Sequence, residues 1–202
     1  MIRPENRGPA DGGSTPSRNV FGNEGSALVE FAVALPLLMV LVVGVFDFGG
    51  AFNAKQELNN AVREGARLGS TLPTNDLSNA TPPTVDAIRF LVDSYLQASR
   101  IPDCGLGLTS LSPSPPPPTL TWVYTAQGSP CTSSNSLVLT IVRGSPSCNV
   151  VTSANVNIPC THVTINYPYQ WHFNSVIQLI VPGSSYGPYI TIQTDATATN
   201  MD

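Results

Sequence analysis

The feature that most constrains this chain is an apolar run near its start. From Phe31 to Phe46 there are sixteen residues without a charge, and the wider stretch Ala27 to Phe48 holds twenty-two residues interrupted only by Glu30 and Asp47. At about 1.5 Å per residue the wider stretch reaches roughly 33 Å as a helix, enough for the roughly 30 Å hydrocarbon core of a bilayer. A chain of 202 residues that is 42% hydrophobic does not need a core helix apolar on every side, so the run reads as a membrane helix rather than a buried soluble one. Pro36 lies in its early turns, where it removes a backbone hydrogen bond, and membrane helices tolerate this. Two readings of Pro36 stay open: a plain kink, or a loosened helix that lets the chain bend as it leaves the bilayer.

Glu30 is the anomalous residue in the run. An ionised carboxylate costs on the order of 3 kcal/mol at the centre of a membrane helix, and intramembrane charges tend to have partners. Either Glu30 has such a partner, or it sits at the interface and snorkels into water.

Upstream, Met1 to Gly25 sets Arg3, Arg7 and Arg18 against Glu5, Asp11 and Glu24 without apolar periodicity, which reads as a solvated tail. It is unlike a secretory signal, because it is long before the apolar run and only Gly49-Gly50-Ala51 offers a poor cleavage site. Basic residues flank the run on both sides (Lys55, Arg63 and Arg67 follow it), so charge alone does not orient it. Only 11% of residues are charged, against roughly 25% in an average soluble domain, which suits an exported, polar surface. The net charge of −4 offers no basic footprint, and nucleic acid is not expected as a partner.

After Asp47 the apolar positions thin to a stripe, Phe48, Phe52, Leu58, Val62, Ala66 and Gly69, with Gln56, Asn59, Asn60, Arg63 and Glu64 on the wet side. The run therefore continues as an amphipathic helix, and the Gly65/Gly69 pair is read as close packing against the fold. Thr71 to Thr84 reads as a loop, and Thr84 as the N-cap of a short amphipathic helix from Val85 to Ser99 that Pro102 stops. Asp86 and Asp93, seven apart with no histidine nearby, are placed on a solvated face. Ser112 to Pro118 carries five of the nineteen prolines and reads as a stiff extended spacer.

Beyond the spacer the pattern switches to period two. Leu120-Trp122-Tyr124, Ser136 to Arg143, Val163-Ile165-Tyr167 and Tyr189 to Thr194 predict four strands of an antiparallel sheet with one packed face, while Val176 to Val181 is left as strand or helix. The four cysteines, Cys104, Cys131, Cys148 and Cys160, all follow the apolar run. An even number in an exported region points to two disulfides with three possible connectivities; the expected pairs are Cys104 with Cys131 and Cys148 with Cys160. Spacings of 27, 17 and 12 contain no CxxC unit, so no metal site is expected. His162 and His172 lack a nucleophile elbow, and neither a phosphate loop nor HExxH occurs, so no enzyme activity, catalytic residue or cofactor is expected.

The context Gly25-Ser26-Ala27-Leu28-Val29-Glu30-Phe31 resembles the prepilin peptidase site of type IV pilin-like proteins, in which a leader is removed after the glycine. The longer stretch ALVEFAVALPLLMVLVVGVFDFGGAF, with Arg63-Glu64-Gly65-Ala66-Arg67 after it, is similar to the TadE/TadG-like minor pilins, or pseudopilins, of tight-adherence (Tad, Flp; type IVc) pilus systems. The resemblance covers about Gly25 to Gly69. It implies an α+β, type IV pilin-like fold: a long N-terminal transmembrane and amphipathic helix packed on a small antiparallel β-sheet domain. The implied layout is a leader at 1–25, the helix at 26–69, a loop, short helix and Pro-rich spacer at 70–118, and a disulfide-tied β-rich domain at 119–202. It implies processing between Gly25 and Ser26, an assembly role for Glu30 and Phe31, and pairing of Glu30 with the freed amine of Ser26 on its own or a neighbouring chain. Expected partners are the prepilin peptidase, other pilin and minor pilin subunits, the Tad inner-membrane assembly machinery and membrane lipid. The chain would wait in the bacterial inner membrane as a single-pass protein, leader inside and bulk outside, before assembly or priming of a pilus. Little from Leu120 to Asp202 is diagnostic. The alternative is an uncleaved single-pass exported binding protein, adhesin-like, with Trp122, Trp171, Tyr167, Tyr169 and Tyr186 as a stacking face.

Overall fold

A computed structural model describes residues 24–111, 119–144, 146–151, 156–173 and 189–200. Most of the expected leader, the Pro-rich spacer, the run Val176 to Val181 and Tyr186 lie outside the described residues. The structure falls into two units, one ending at Leu41 and one beginning at Val42.

Helix α1 runs from Glu24 to Thr71 and includes Pro36. In the first unit its apolar side chains are exposed, Leu28, Phe31, Val33, Leu37 and Leu38 among them. An 18-residue window of this helix reaches a mean hydropathy of 2.6 with only 6% of it buried, which fits a single-pass membrane protein and sets the helix apart from the core helix of a soluble one.

In the second unit the rest of α1 and helix α2 (Pro83–Ala98) cover one face of a five-stranded sheet, an α+β arrangement. The strands are β1 (Thr121–Ala126), β2 (Leu137–Arg143), β3 (Asn149–Val151), β4 (Asn157–Gln170) and β5 (Tyr189–Thr199). All pairings are antiparallel: β1 with β2, β2 with β4, β3 with the first residues of β4, and β5 along the rest of β4. The alternation read from the sequence sets the faces, with Trp122, Tyr124, Leu139, Ile141, Val163, Ile165 and Ile192 turned toward the helices. Strand β3 is a fifth strand that the periodicity did not predict. It is three residues long, and the Cys148–Cys160 disulfide holds it beside β4. The second disulfide, Cys104–Cys131, joins the segment after α2 to the β1–β2 connection.

The buried stripe of α1 is Ala54, Leu58, Ala61, Val62 and Ala66, whereas Phe48 and Phe52, expected on that stripe, are exposed. Gly65 and Gly69 let α1 approach α2 and β4. A Cβ on Gly69 would lie 2.5 Å from Thr161 Cγ2 and 2.9 Å from Ile88 Cδ1. Helix α2 begins two residues earlier than expected, because Pro83 presets the first helical turn and Pro82 is the cap. The Thr84 hydroxyl instead donates to Asp76 Oδ1 at 2.8 Å while its N–H donates to Asp76 Oδ2 at 3.0 Å. The helix ends with Ile101 N–H donating to Leu96 O and Arg100 N–H to Gln97 O, with Arg100 at φ 57, a left-handed stop of the Schellman kind.

Arg143 joins these elements. Its buried guanidinium donates to Gly69 O at 2.7 Å and Leu72 O at 2.9 Å, the free carbonyls at the end of α1, to Thr84 Oγ1 at 2.6 Å, and to Thr161 Oγ1 at 3.3 Å. The last turn of α1 has no basic residue of its own, and β2 supplies the cation that the helix C-terminus favours.

The aspartates expected on a wet face of α2 are engaged. Asp86 Oδ1 accepts from Arg89 Nε at 3.2 Å and from the Tyr124 hydroxyl at 3.0 Å, and burial together with that carboxylate pushes the Tyr124 phenol up. Asp93 is buried, with Gln97 Nε2 bridging its Oδ2 at 3.0 Å to Asp103 Oδ2 at 3.1 Å. Asp93 was misplaced because its partner lies on the next loop, where helical periodicity carries no information.

Candidate functional site

Residues Gly25, Ser26, Glu30, Phe31 and Pro36 all lie in α1, and the side chains of Ser26, Glu30 and Phe31 are exposed. Nothing lies within 4 Å of a Cβ built on Gly25, so the described structure gives no packing reason for glycine there. Ser26 and Glu30 are four apart on one helix and therefore share a face one turn apart. Among the described residues Glu30 has no hydrogen-bond or ion-pair partner.

The other carboxylate of the apolar run is fully engaged. Asp47 is 1% exposed; its Oδ1 accepts the His172 N–H at 3.1 Å and its Oδ2 the Phe173 N–H at 3.3 Å, with His172 Nδ1 3.9 Å from Oδ1. The end of β4 thus closes over the turn of α1 that carries Asp47. Trp171 packs edge-on against Phe48 and Tyr169, with centroids 5.6 Å apart in each pair. The Tyr169 hydroxyl lies 3.3 Å from His172 Nδ1 and over Gly50, where an added Cβ would come within 2.5 Å of it. Burial and then the Asp47 charge push the Tyr169 phenol up, and burial first pushes Tyr167 up to about 12. Sequence reasoning noted Asp47 as an interruption of the run but not its partners, which lie 125 and 126 residues away. Its one signal was a carboxylate in an apolar stretch, which calls for donors.

Beside this clasp is a cleft of about 540 Å³ whose lining includes Asn53, Arg100, Asn135, Tyr169, Gln170 and Trp171. Among the described residues no group of three or more His, Cys, Asp or Glu side chains could hold a metal ion. His162 Nε2 pairs with Asp195 at 3.2 Å on an exposed face of the sheet and lies 3.4 Å from the Thr164 hydroxyl. Of the aromatics considered for a stacking face, Trp122, Tyr167 and Tyr169 are buried because their strand positions face the helices, and Trp171, just past the end of β4, is buried against Phe48 and Tyr169.

Residues 25–67 match a family model described as TadE-like protein. The match begins at Gly25 and ends four residues short of the end of α1 at Thr71, so the family's region in this chain is the apolar and amphipathic helix. No curated protein and no solved structure matches the chain.

Proposed function

We propose that the chain is a minor pilin or pseudopilin, cut by a prepilin peptidase between Gly25 and Ser26 and used in the assembly or priming of a Tad-type pilus. The observation that carries this reading is the coincidence of the TadE-like match with α1, starting at Gly25 itself. Cleavage there would leave Ser26 as an α-amine one helical turn from Glu30, and the pair would offset part of the cost of an ionised carboxylate in hydrocarbon. Whether that amine belongs to the same chain or to a neighbour, Glu30 and Phe31 are the residues that subunit packing would use. The chain would wait in the inner membrane with residues 42–202 outside the cytoplasm. Glu30→Ala tests the assembly role: the variant should be processed normally yet be missing from sheared filaments, and its normal incorporation would rule out the pairing.

A further inference from the structure

An apolar face remains exposed where α1 enters the second unit. Phe48 is 59% exposed and Phe52 68%, although both lie on the helix that supplies the core stripe. Ile190 pairs in register with Tyr169 and shares the helix-facing side of β5 with Ile192, yet it is 45% exposed. Phe173, whose N–H is held by Asp47, is exposed as well. The clasp of β4 on Asp47 places these side chains at one end of the unit, the end where the apolar run finishes. The Asp47 carboxylate is turned onto backbone N–H groups and away from these side chains, while Asp195, paired with His162, lines the depression beside Phe52. The first basic residue after the run is Lys55, exposed, without an ion pair among the described residues, and on the same shallow depression as Phe52.

We infer that this end of residues 42–202 is a lipid-docking surface, with Phe48, Phe52, Phe173 and Ile190 seated in the headgroup layer of the bilayer and Lys55 at its outer edge against lipid phosphate. The inference rests on the apolar run of α1 spanning a membrane. Beyond a hydrocarbon core of about 30 Å, the polar layers bring a bilayer to about 40–45 Å, or roughly 5–7 Å on each side. At about 1.5 Å per residue Phe52 lies about 6 Å past Phe48 and Lys55 about 10 Å past it, so the phenylalanines fall inside the layer and the ammonium at its rim. Apolar side chains such as phenylalanine seat at the boundary of headgroups and acyl chains, and a lysine snorkels to the phosphates above them. The apolar run that enters a bilayer leads directly into this face, which favours lipid over a second subunit as its occupant. The surface would fix how deeply the subunit sits before it is extracted into a filament.

All four cysteines of the chain are in disulfides, so a single introduced cysteine is a unique label site. The full chain carrying Phe52→Cys or Ile190→Cys is reconstituted at one copy per nanodisc of phosphatidylethanolamine and phosphatidylglycerol and treated with a membrane-impermeant maleimide. Leu108→Cys, at a position 95% exposed, is the aqueous reference, and Leu38→Cys reports the span. Modification at positions 52 and 190 is expected to be at least about tenfold slower than at 108, equivalent to about 1.4 kcal/mol of protection. Rates equal to that at 108 with Leu38→Cys protected overturn the docking surface alone. Free modification of Leu38→Cys as well overturns the membrane span and the inference with it. Protection that arises only at several copies per disc assigns the face to a subunit contact and overturns the lipid assignment. Lys55→Gln should speed modification at position 52, and an unchanged rate overturns the phosphate contact.

Discussion

Replacing Arg143 by methionine removes the cation that ties α1, α2, β2 and β4 together while keeping an unbranched side chain of similar length. The loss strands Gly69 O and Leu72 O at the end of α1, and it takes a donor from the hydroxyls of Thr84 and Thr161. Hydrogen bonds to a charged group are worth about 1.5–3 kcal/mol each, and the interaction with a partly buried helix terminus adds up to about 2 kcal/mol. Against this stands the relief of a buried guanidinium, several kcal/mol, so the net expectation is a loss of about 3–4 kcal/mol. That is a large part of the roughly 5–15 kcal/mol by which a domain is stable. Arg143→Lys keeps the charge but not the fork, reaches fewer of the four acceptors, and should recover about half of the loss. The assay is urea unfolding of the full chain in detergent micelles, disulfides intact, followed by the fluorescence of Trp122 and Trp171, both of which are buried. A methionine variant within about 1 kcal/mol of the parent, or a lysine variant equal to it, would refute the reasoning, since the first is the scale of a single ordinary hydrogen bond.

Other substitutions probe separate contacts. Gly69→Ala pushes a methyl into Thr161 and Ile88 and should cost about 1–3 kcal/mol in the same assay, whereas Gly44→Ala, with open space around it, should cost nothing in the sheet transition. Gly25→Leu should leave the fold unchanged and stop processing, read as retention of the full-length mass in cells with the peptidase. Reduction of Cys148–Cys160 and Cys104–Cys131, which close 12- and 27-residue separations, should remove about 3 and 3.5 kcal/mol respectively by the chain-entropy model, measured as urea midpoints of the serine variants. The Asp93–Asp103 pair makes stability depend on pH. Burial, the hydrogen bond to Asp103 and its charge hold Asp93 above its ordinary 3.8, while at Asp103 the upward push of burial is outweighed by donors from Gly105, Asp93 and Gln97. Asp93 therefore stabilises the fold fully below 3.8 and loses that contribution as pH rises through its raised value, whereas Asp103 contributes above 3.8 and loses its share as pH falls through its lowered value. Asp93→Asn keeps the neutral form throughout, so its melting temperature should gain on the parent's as pH rises from about 4 to about 7; parallel profiles would contradict the upward shift of Asp93.

The parts of the fold that were legible in the sequence are those set by local periodicity. The uncharged stretch from Phe31 to Phe46 marked α1, and the alternations around Trp122, Ile141, Ile165 and Ile192 marked β1, β2, β4 and β5 with their buried faces. What was not legible depends on partners distant in the chain. Arg143 looked like the polar end of a β-branched run, and only the fold brings α1's last carbonyls to it. Phe48 and Phe52 fitted the amphipathic stripe by spacing but stay exposed, Phe48 edge-on to Trp171 and Phe52 beside Gln193 and Thr194 of β5. Strand β3 is too short to show alternation and exists by virtue of its place beside β4. In the candidate processing segment the residues Gly25 and Glu30 were legible only through their resemblance to a cleavage site, because the chemistry proposed for them would involve an enzyme and an amine outside the folded unit. Asp47 was visible as an anomaly, and its partners His172 and Phe173 were not.

The most direct test of the proposed role is the intact mass and N-terminal sequence of the protein recovered from membranes of cells that carry the Tad machinery. The expected species begins at Ser26, lacks residues 1–25, and disappears in Gly25→Leu cells. A mature chain that still begins at Met1, or one that starts at Phe52 after cleavage behind Gly49-Gly50-Ala51, would contradict it.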